Sequence, residues 1–264
     1  MHPHDIPIVR SAAADNEGSP RSLTTLAFER LRSDILAGEL RPTEKLRIHQ
    51  LAERYDIGPT AIREALSRLV TEGMVTSEDQ RGFCVAGVSR DELLDLTRTR
   101  LWVEQTALRA SIEHGDVEWE ATVLASIHRL SRIASPNTNP ASAEAWRQAH
   151  RQFHFSLIQG CGSPWTVKLC AMLYDQTQRY RSLSSKSRDG VSRDVSNEHR
   201  QIADAALARD ARRACALLAE HFDETTRIIL ALDGMVGASG GGTGVPAPRR
   251  RGQGNFRDEK KPNR

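Results

Sequence analysis

Apolar residues recur at helical intervals over most of the chain. In LTTLAFERLRSDILA (23–37), Leu23, Ala27, Leu31 and Ile35, joined by Leu26, form one stripe, and Gly38 ends the run. After the loop ELRPTEKL, the segment RIHQLAERYDIGPTAIREALSRLVTEGMV reads as a short helix containing Leu51 and Ala52, a tight turn at Asp56-Ile57-Gly58, and a second helix over 59–72. Two short helices joined by a Gly-containing turn predict a helix-turn-helix. Ile62, Leu66 and Leu69 form the inward face of the second helix, while Thr60, Arg63, Ser67 and Arg68 occupy the other. In MVTSEDQRGFCVA (74–86) the pattern shortens to two β-prone pieces around the turn at 79–82, which predicts a hairpin wing. From Ser89 onward the period is helical again, over 90–114, 116–133, 141–159, 163–184, 193–208 and 210–232. Helices without an intervening strand predict an antiparallel bundle. Gly115-Asp116, Ser135-Pro136-Asn137 and the run from Gly160 to Pro164 punctuate it, with Ser163 placed to cap a helix that starts at Pro164. The expected fold is mainly α, with a winged helix-turn-helix over 21–88 followed by an all-α antiparallel bundle over 89–232.

The ends lack this periodicity. Residues 1–20 and the Gly-, Pro- and Arg-rich stretch 233–264 carry too little apolar surface to offset the entropy of ordering, and read as flexible segments. This matters for the charge. The 264 residues hold 37 Lys+Arg against 34 Asp+Glu, a formal +3. Residues 1–89 hold 11 basic and 13 acidic, 90–232 hold 19 and 18, and 233–264 hold 7 and 3. The excess therefore sits in the tail, around Arg249, Arg250 and Arg251, and the segment with the helix-turn-helix pattern is net negative. A nucleic-acid reading must rest on local placement of arginines and not on overall basicity. With 39% hydrophobic residues, a core can form without disulfide or metal staples. Cys84, Cys161, Cys170 and Cys215 form no CxxC pair and fit reduced, mostly buried thiols. No run approaches the ~18 apolar residues of a membrane span, and no secretory segment opens the chain, so a cytoplasmic, non-membrane protein is expected.

Within the second helix of the helix-turn-helix, Arg63 is the leading candidate for a bidentate bond to a guanine edge, and Thr60, Ser67 and Arg68 can meet base edges or phosphates. Arg81 at the wing turn can enter a minor groove, with Gly82 allowing close approach. Arg47, near the start of the preceding helix, is a candidate phosphate contact. In the bundle, His150 and His154 are four residues apart and point the same way from one helix. His199 and His221 lie on the last two helices. Facing helices can assemble such imidazoles into a divalent-metal site, but the residues alone leave open whether they ligate or merely pack. There is no HExxH, and no carboxylate pair is placed for acid/base work, so the chain is not read as an enzyme.

These segments resemble the GntR family of transcriptional regulators, FadR subgroup, whose winged helix precedes an all-helical FCD effector domain. The resemblance covers about 23–232 and is carried by LAERYDIGPTAIREALSRLVTEGMV and RGFCV, then by TRLWVE, HRQFHFSLI and EHRQIADAALARDARRACALLAEH. It implies a homodimer on a roughly palindromic double-stranded operator, and the reading is a metal-dependent repressor whose operator affinity is relieved by a small organic acid bound in the helical domain. It also implies metal ligation by His154, His199 and His221, with His150 at a fourth position where the family usually has Asp. The implied ion is Zn2+, with Ni2+, Fe2+ or Mn2+ as alternatives. Arg100 corresponds to a cavity-lining arginine and Glu104 to its acidic neighbour. Arg151, Tyr174, Arg179 and Arg181 are further candidate walls, because Arg and Tyr can bind a second carboxylate. YDIGPTAIREAL, GDVEWE, HRQFH followed by GCGS, and LARDARRA are similar to repressors of glutarate utilisation, which implies a dicarboxylate effector, glutarate first. Where the family commonly has Ser-Arg-Thr-Pro-Val-Arg-Glu-Ala-Leu, this chain has GPTAIREAL, so the first arginine is absent and a different half-site is expected. An activator of the same fold, a bundle serving only as a dimerisation scaffold with structural histidines, and a metal-dependent enzyme fused to a DNA-binding module are the competing readings.

Overall fold

The computed structural model describes residues 22–78, 82–135, 139–185 and 193–231. The N-terminal unit begins with α1 (Leu23–Ala37). The Ser22 hydroxyl accepts from the Thr25 N–H at 3.1 Å at one end, and Gly38, in the left-handed region, closes the other. Then come β1 (Lys45–Leu46), α2 (Ile48–Tyr55), α3 (Pro59–Thr71), β2 (Val75–Glu78) and β3 (Gly82–Val85). Asp56, also left-handed at φ 54°, ends α2, and Pro59 opens α3, so the tight turn lies where the sequence predicts it. The strands form an antiparallel sheet in the order β1-β3-β2, with Lys45 opposite Cys84, Val75 opposite Val85 and Glu78 opposite Gly82. The two-residue β1 was not anticipated, because two positions are too few to show a period. Leu31, Ile62, Leu66, Leu69, Val75 and Val85 close one core beneath these elements. Of the predicted wing turn at 79–82, Gly82 instead opens β3, while 79–81, with Arg81, and both predicted flexible ends lie outside the described residues.

The remaining described residues are mainly helical: α4 (Arg90–His114), α5 (Val117–Ser131), α6 (Ala143–Ile158), α7 (Pro164–Ser185), α8 (Val195–Leu207) and α9 (Ala211–Ala231). Three helices start one or two residues later than the periodicity suggests because an aspartate caps each: Asp116 accepts from the Trp119 N–H, Asp194 from the Asn197 N–H and Asp210 from the Arg213 N–H, each at 2.9 Å. Ser163 caps α7 as expected, accepting from the Thr166 N–H at 3.2 Å. Short 3-10 turns, Pro140–Ser142 and Gln159–Cys161, flank α6 and shorten it relative to the expected 141–159. α4 packs on α9 and α7, α5 on α6 and α8, and α8 on α9, around a second core that includes Leu108, Val123, Phe153, Ile202 and Leu218.

One contact fixes the far end of this bundle. The Trp119 indole donates to the Ser156 carbonyl at 2.9 Å and lies under two glycines. A Cβ at Gly115 would fall 2.5 Å from its ring, and one at Gly160 would fall 3.1 Å from it. At the near end α7 packs against α1, where Arg32 pairs with Asp175 and the Gln176 amide donates to the Glu72 carbonyl at 2.7 Å. Among the described residues no helix is long and apolar enough to cross a membrane.

Candidate metal centre and nucleic-acid interface

α6 presents His150 and His154 one turn apart, α8 brings His199 against them and α9 brings His221. Ligand-capable atoms of all four lie within 4.8 Å of one another, and all four residues are buried. The Nε2 atoms of His150 and His154 are 3.2 Å apart, and the ring centroids of His199 and His221 are 4.7 Å apart. The convergence that the spacing alone left open is thus produced by packing of three helices.

Neighbouring groups orient these rings. Nδ1 of His221 faces the Glu198 carboxylate at 2.7 Å, and Arg193 holds that carboxylate with two further bonds of 2.6 and 2.7 Å. A carboxylate on one ring nitrogen fixes the tautomer and leaves the other nitrogen's lone pair free to ligate. His150 Nδ1 faces the Tyr174 hydroxyl at 2.8 Å. By contrast, Nδ1 of His154 and Nε2 of His199 are buried with no hydrogen-bond partner. Such orphans cost about 1–3 kcal/mol each unless something satisfies them, and a cation coordinated by imidazole would do so.

Burial, reinforced by Arg181 and the neighbouring rings, holds His150, His154 and His199 well below the ordinary imidazole range. Burial also brings His221 down to about 4, although Glu198 opposes it. Burial alone would raise Glu198, but bonds from His221 and Arg193 outweigh it and bring the carboxyl down to about 2. Four neutral imidazoles beside an ionised carboxylate are a donor set that fits a divalent ion with a preference for nitrogen.

Next to the histidines is a small cavity whose walls include Thr97, Arg100, His154, Thr177, Arg181 and His221. Arg100 donates to Glu104 at 2.7 Å, and its guanidinium lies 4.0 Å from the Phe222 ring. Burial raises the Glu104 carboxyl more than Arg100 and Arg181 lower it. Arg181 donates to His150 Nε2 at 3.0 Å. Two expected wall residues face elsewhere. Arg179 donates to the carbonyls of Ala86 and Gly87 at 2.6 Å, at the junction with the winged unit, because residues two apart on a helix point about 200° apart and Arg181 takes the cavity side. Arg151 stacks 5.2 Å from the Tyr174 ring but ends on Asp175.

On the winged unit, Arg47, Thr60, Arg63 and Gly82 line one concavity of about 580 Å³ together with Lys45 and His49. The Ser67 hydroxyl donates to the Arg63 carbonyl at 3.0 Å, and the Arg68 guanidinium lies 4.1 Å from the Phe28 ring of α1, off that surface. Lys45 and His49 were missed by the sequence reading, since each belongs to the surface only once β1 and α2 are brought beside α3. Glu198 and Arg193 were missed because their partner, His221, lies on the neighbouring helix.

Two family models match the chain: bacterial regulatory proteins, gntR family, over residues 23–85, and the FCD domain over 95–224. The HTH-type transcriptional regulator BphR of Paraburkholderia xenovorans (strain LB400) is 41% identical over 211 residues, covering 79% of this chain and 86% of BphR. The chain belongs to the GntR family. This GntR-family protein is a DNA-binding transcriptional regulator with an FCD domain, and the families it matches are regulatory rather than catalytic. The HTH-type transcriptional repressor GlaR of Escherichia coli (strain K12) is 36% identical over 205 residues, 76% of this chain and 93% of GlaR. Of solved structures, E. coli McbR/YncC superposes with a TM-score of 0.68 at 20% identity, covering 79% of this chain and 97% of McbR. A GntR regulator from Rhodococcus sp. RHA1 gives 0.65 at 20% identity, covering 79% and 98%. At that identity the likeness is one of fold, and it is the mainly α architecture of a winged helix-turn-helix followed by a helical bundle.

Proposed function

We propose that this GntR-family regulator is a metal-dependent repressor of the FadR subgroup whose operator affinity is relieved by a small dicarboxylate. In this reading 21–88 is the DNA-binding unit and 89–232 the effector-binding and dimerisation unit, and a homodimer engages the two halves of a palindromic operator. The observation that carries it is the buried cluster of His150, His154, His199 and His221, with two unpartnered ring nitrogens, beside Arg100 and Arg181. Zn2+ is the proposed ion, with Ni2+, Fe2+ and Mn2+ as the alternatives that metal analysis separates. With His150 at the fourth position, every ligand is neutral and the ion keeps its charge, which favours an anionic effector. Arg100 and Arg181 would receive the second carboxylate, with Tyr174 steadying His150. Resemblance to repressors of glutarate utilisation, and similarity to GlaR, make glutarate the first effector to try. On the operator, Arg63 and Thr60 would read base edges, Arg47 and Ser67 would bind phosphate, and Arg68, held over Phe28, would act at the edge of the contact. Gly82 and Arg81 would bring the wing to the minor groove.

The experiment is a salt-controlled operator mobility assay with calorimetry on metal-analysed protein. Bound zinc, heat on adding glutarate and loss of operator binding on adding it are the expected results. Unchanged metal content and unchanged response in a His154→Ala, His199→Ala double variant would leave the cluster as a packing feature of a dimerisation scaffold.

A further inference from the structure

Asp175 on α7 is 5% exposed and is held by two arginines from different parts of the chain: Arg32 of α1 and Arg151 of α6. Its neighbours along α7 divide in the same way. Tyr174 reaches back to His150, whereas Gln176 donates to the Glu72 carbonyl at the end of α3. Three consecutive residues therefore touch the histidine centre, a side chain of the helix that carries it, and the DNA-binding unit. The two arginines differ in freedom: the Arg151 side chain is 36% exposed and stacks against Phe155 and Tyr174, while Arg32 is also drawn to Glu72 at 3.6 Å.

We propose that Asp175 is a positioning residue that couples the histidine centre to the winged domain, holding Arg32 and Arg151 on one carboxylate. A buried carboxylate needs charged or hydrogen-bonding partners, so its bond to one arginine tightens when the other is withdrawn. An anion at the histidine centre attracts Arg151, which directly follows His150 on α6 and stacks on Tyr174, the residue bonded to His150. Asp175 then shifts toward Arg32, and α1 shifts with it. Two winged domains reading half-sites at a fixed spacing of about one helical turn are sensitive to such a change of orientation. This coupling rests on the effector reading above.

The test is operator binding by metal-loaded wild type and by Asp175→Asn, Arg32→Gln and the double variant, each with and without glutarate, alongside glutarate calorimetry and thermal unfolding. Asp175→Asn and Arg32→Gln should bind glutarate within about threefold of wild type while the glutarate-induced loss of operator affinity shrinks at least tenfold, and the double variant should be no worse than either single one. A purely structural role would lower the unfolding temperature and leave the ratio of affinities with and without glutarate unchanged, which overturns the proposal. Arg32→Gln removes a partly exposed arm and keeps the test alive should Asp175→Asn fail to fold. If wild type ignores glutarate, the effector reading fails by itself and the glutarate-free arm decides the coupling. Non-additive changes of threefold or more in operator affinity support it, and additive changes below twofold reject it.

Discussion

Acid should destabilise the metal-free protein before its carboxylates titrate, Glu104, whose carboxyl burial raises, excepted. In the folded chain four imidazoles are buried and held below the ordinary value, and in the unfolded chain each titrates near ~6.5. Between those values the unfolded chain carries protons that the folded chain refuses. The stabilisation is therefore complete above about pH 6.5 and is lost as pH falls, at up to about 1.4 kcal/mol per pH unit for each imidazole. For His221, folded at about 4, the window closes near that value and is worth roughly 3 kcal/mol. All four together set an upper limit of roughly 5 kcal/mol per pH unit, a large share of the ~5–15 kcal/mol that stabilises a typical domain. Glu198, lowered to about 2, acts elsewhere: its contribution is present above the normal carboxylate range and is lost only as pH falls toward 2. Urea unfolding followed by circular dichroism in chelator, in steps from about pH 7.5 to about 5.5, measures the slope. A free energy that stays level across that interval would refute neutral, buried imidazoles as the state of the centre.

Three other outcomes follow from the same geometry. Arg63→Ala should weaken operator binding by about 1–3 kcal/mol and relax base preference at one position of each half-site, read by competition among operator variants. Glu198→Ala should lower metal affinity about 10–100-fold while leaving metal-free secondary structure intact, measured by competition with a chromophoric chelator. Gly115→Ala, whose new Cβ would fall 2.5 Å from both the Ser111 carbonyl oxygen and the Trp119 ring, should lose more than about 1 kcal/mol in chemical denaturation.

What was legible in the sequence is what repeats locally. The 3.6-residue period and the Asp56-Ile57-Gly58 turn place α1, α2 and α3, and Ile62, Leu66 and Leu69 are buried as their spacing predicts. The pair His150 and His154 was visible as a pair, while its meeting with His199 and His221 depends on how α6, α8 and α9 pack. Arg179 and Arg181 looked alike in sequence and serve opposite sides of α7. Asp175 carried no sign at all, since its partners lie 24 and 143 positions away and a lone acidic residue in a helix usually faces water.

The Trp119 ring, wedged beneath Gly115 and Gly160 and bonded to the Ser156 carbonyl, has a mechanical consequence. It pins the C-terminal end of α6 to the turn between α4 and α5, so α6 can move chiefly by tilting about that point. With a rise of ~1.5 Å per residue, a tilt of about 5° would displace residue 154 by only about 0.3 Å but residue 151 by about 0.7 Å and residue 146 by more than about 1 Å. His154, close to the pivot, would keep its place beside His199 and His221 while His150 and Arg151, about a turn farther out, swing together through a longer arc, so the same helix serves as anchor at one end and pointer at the other.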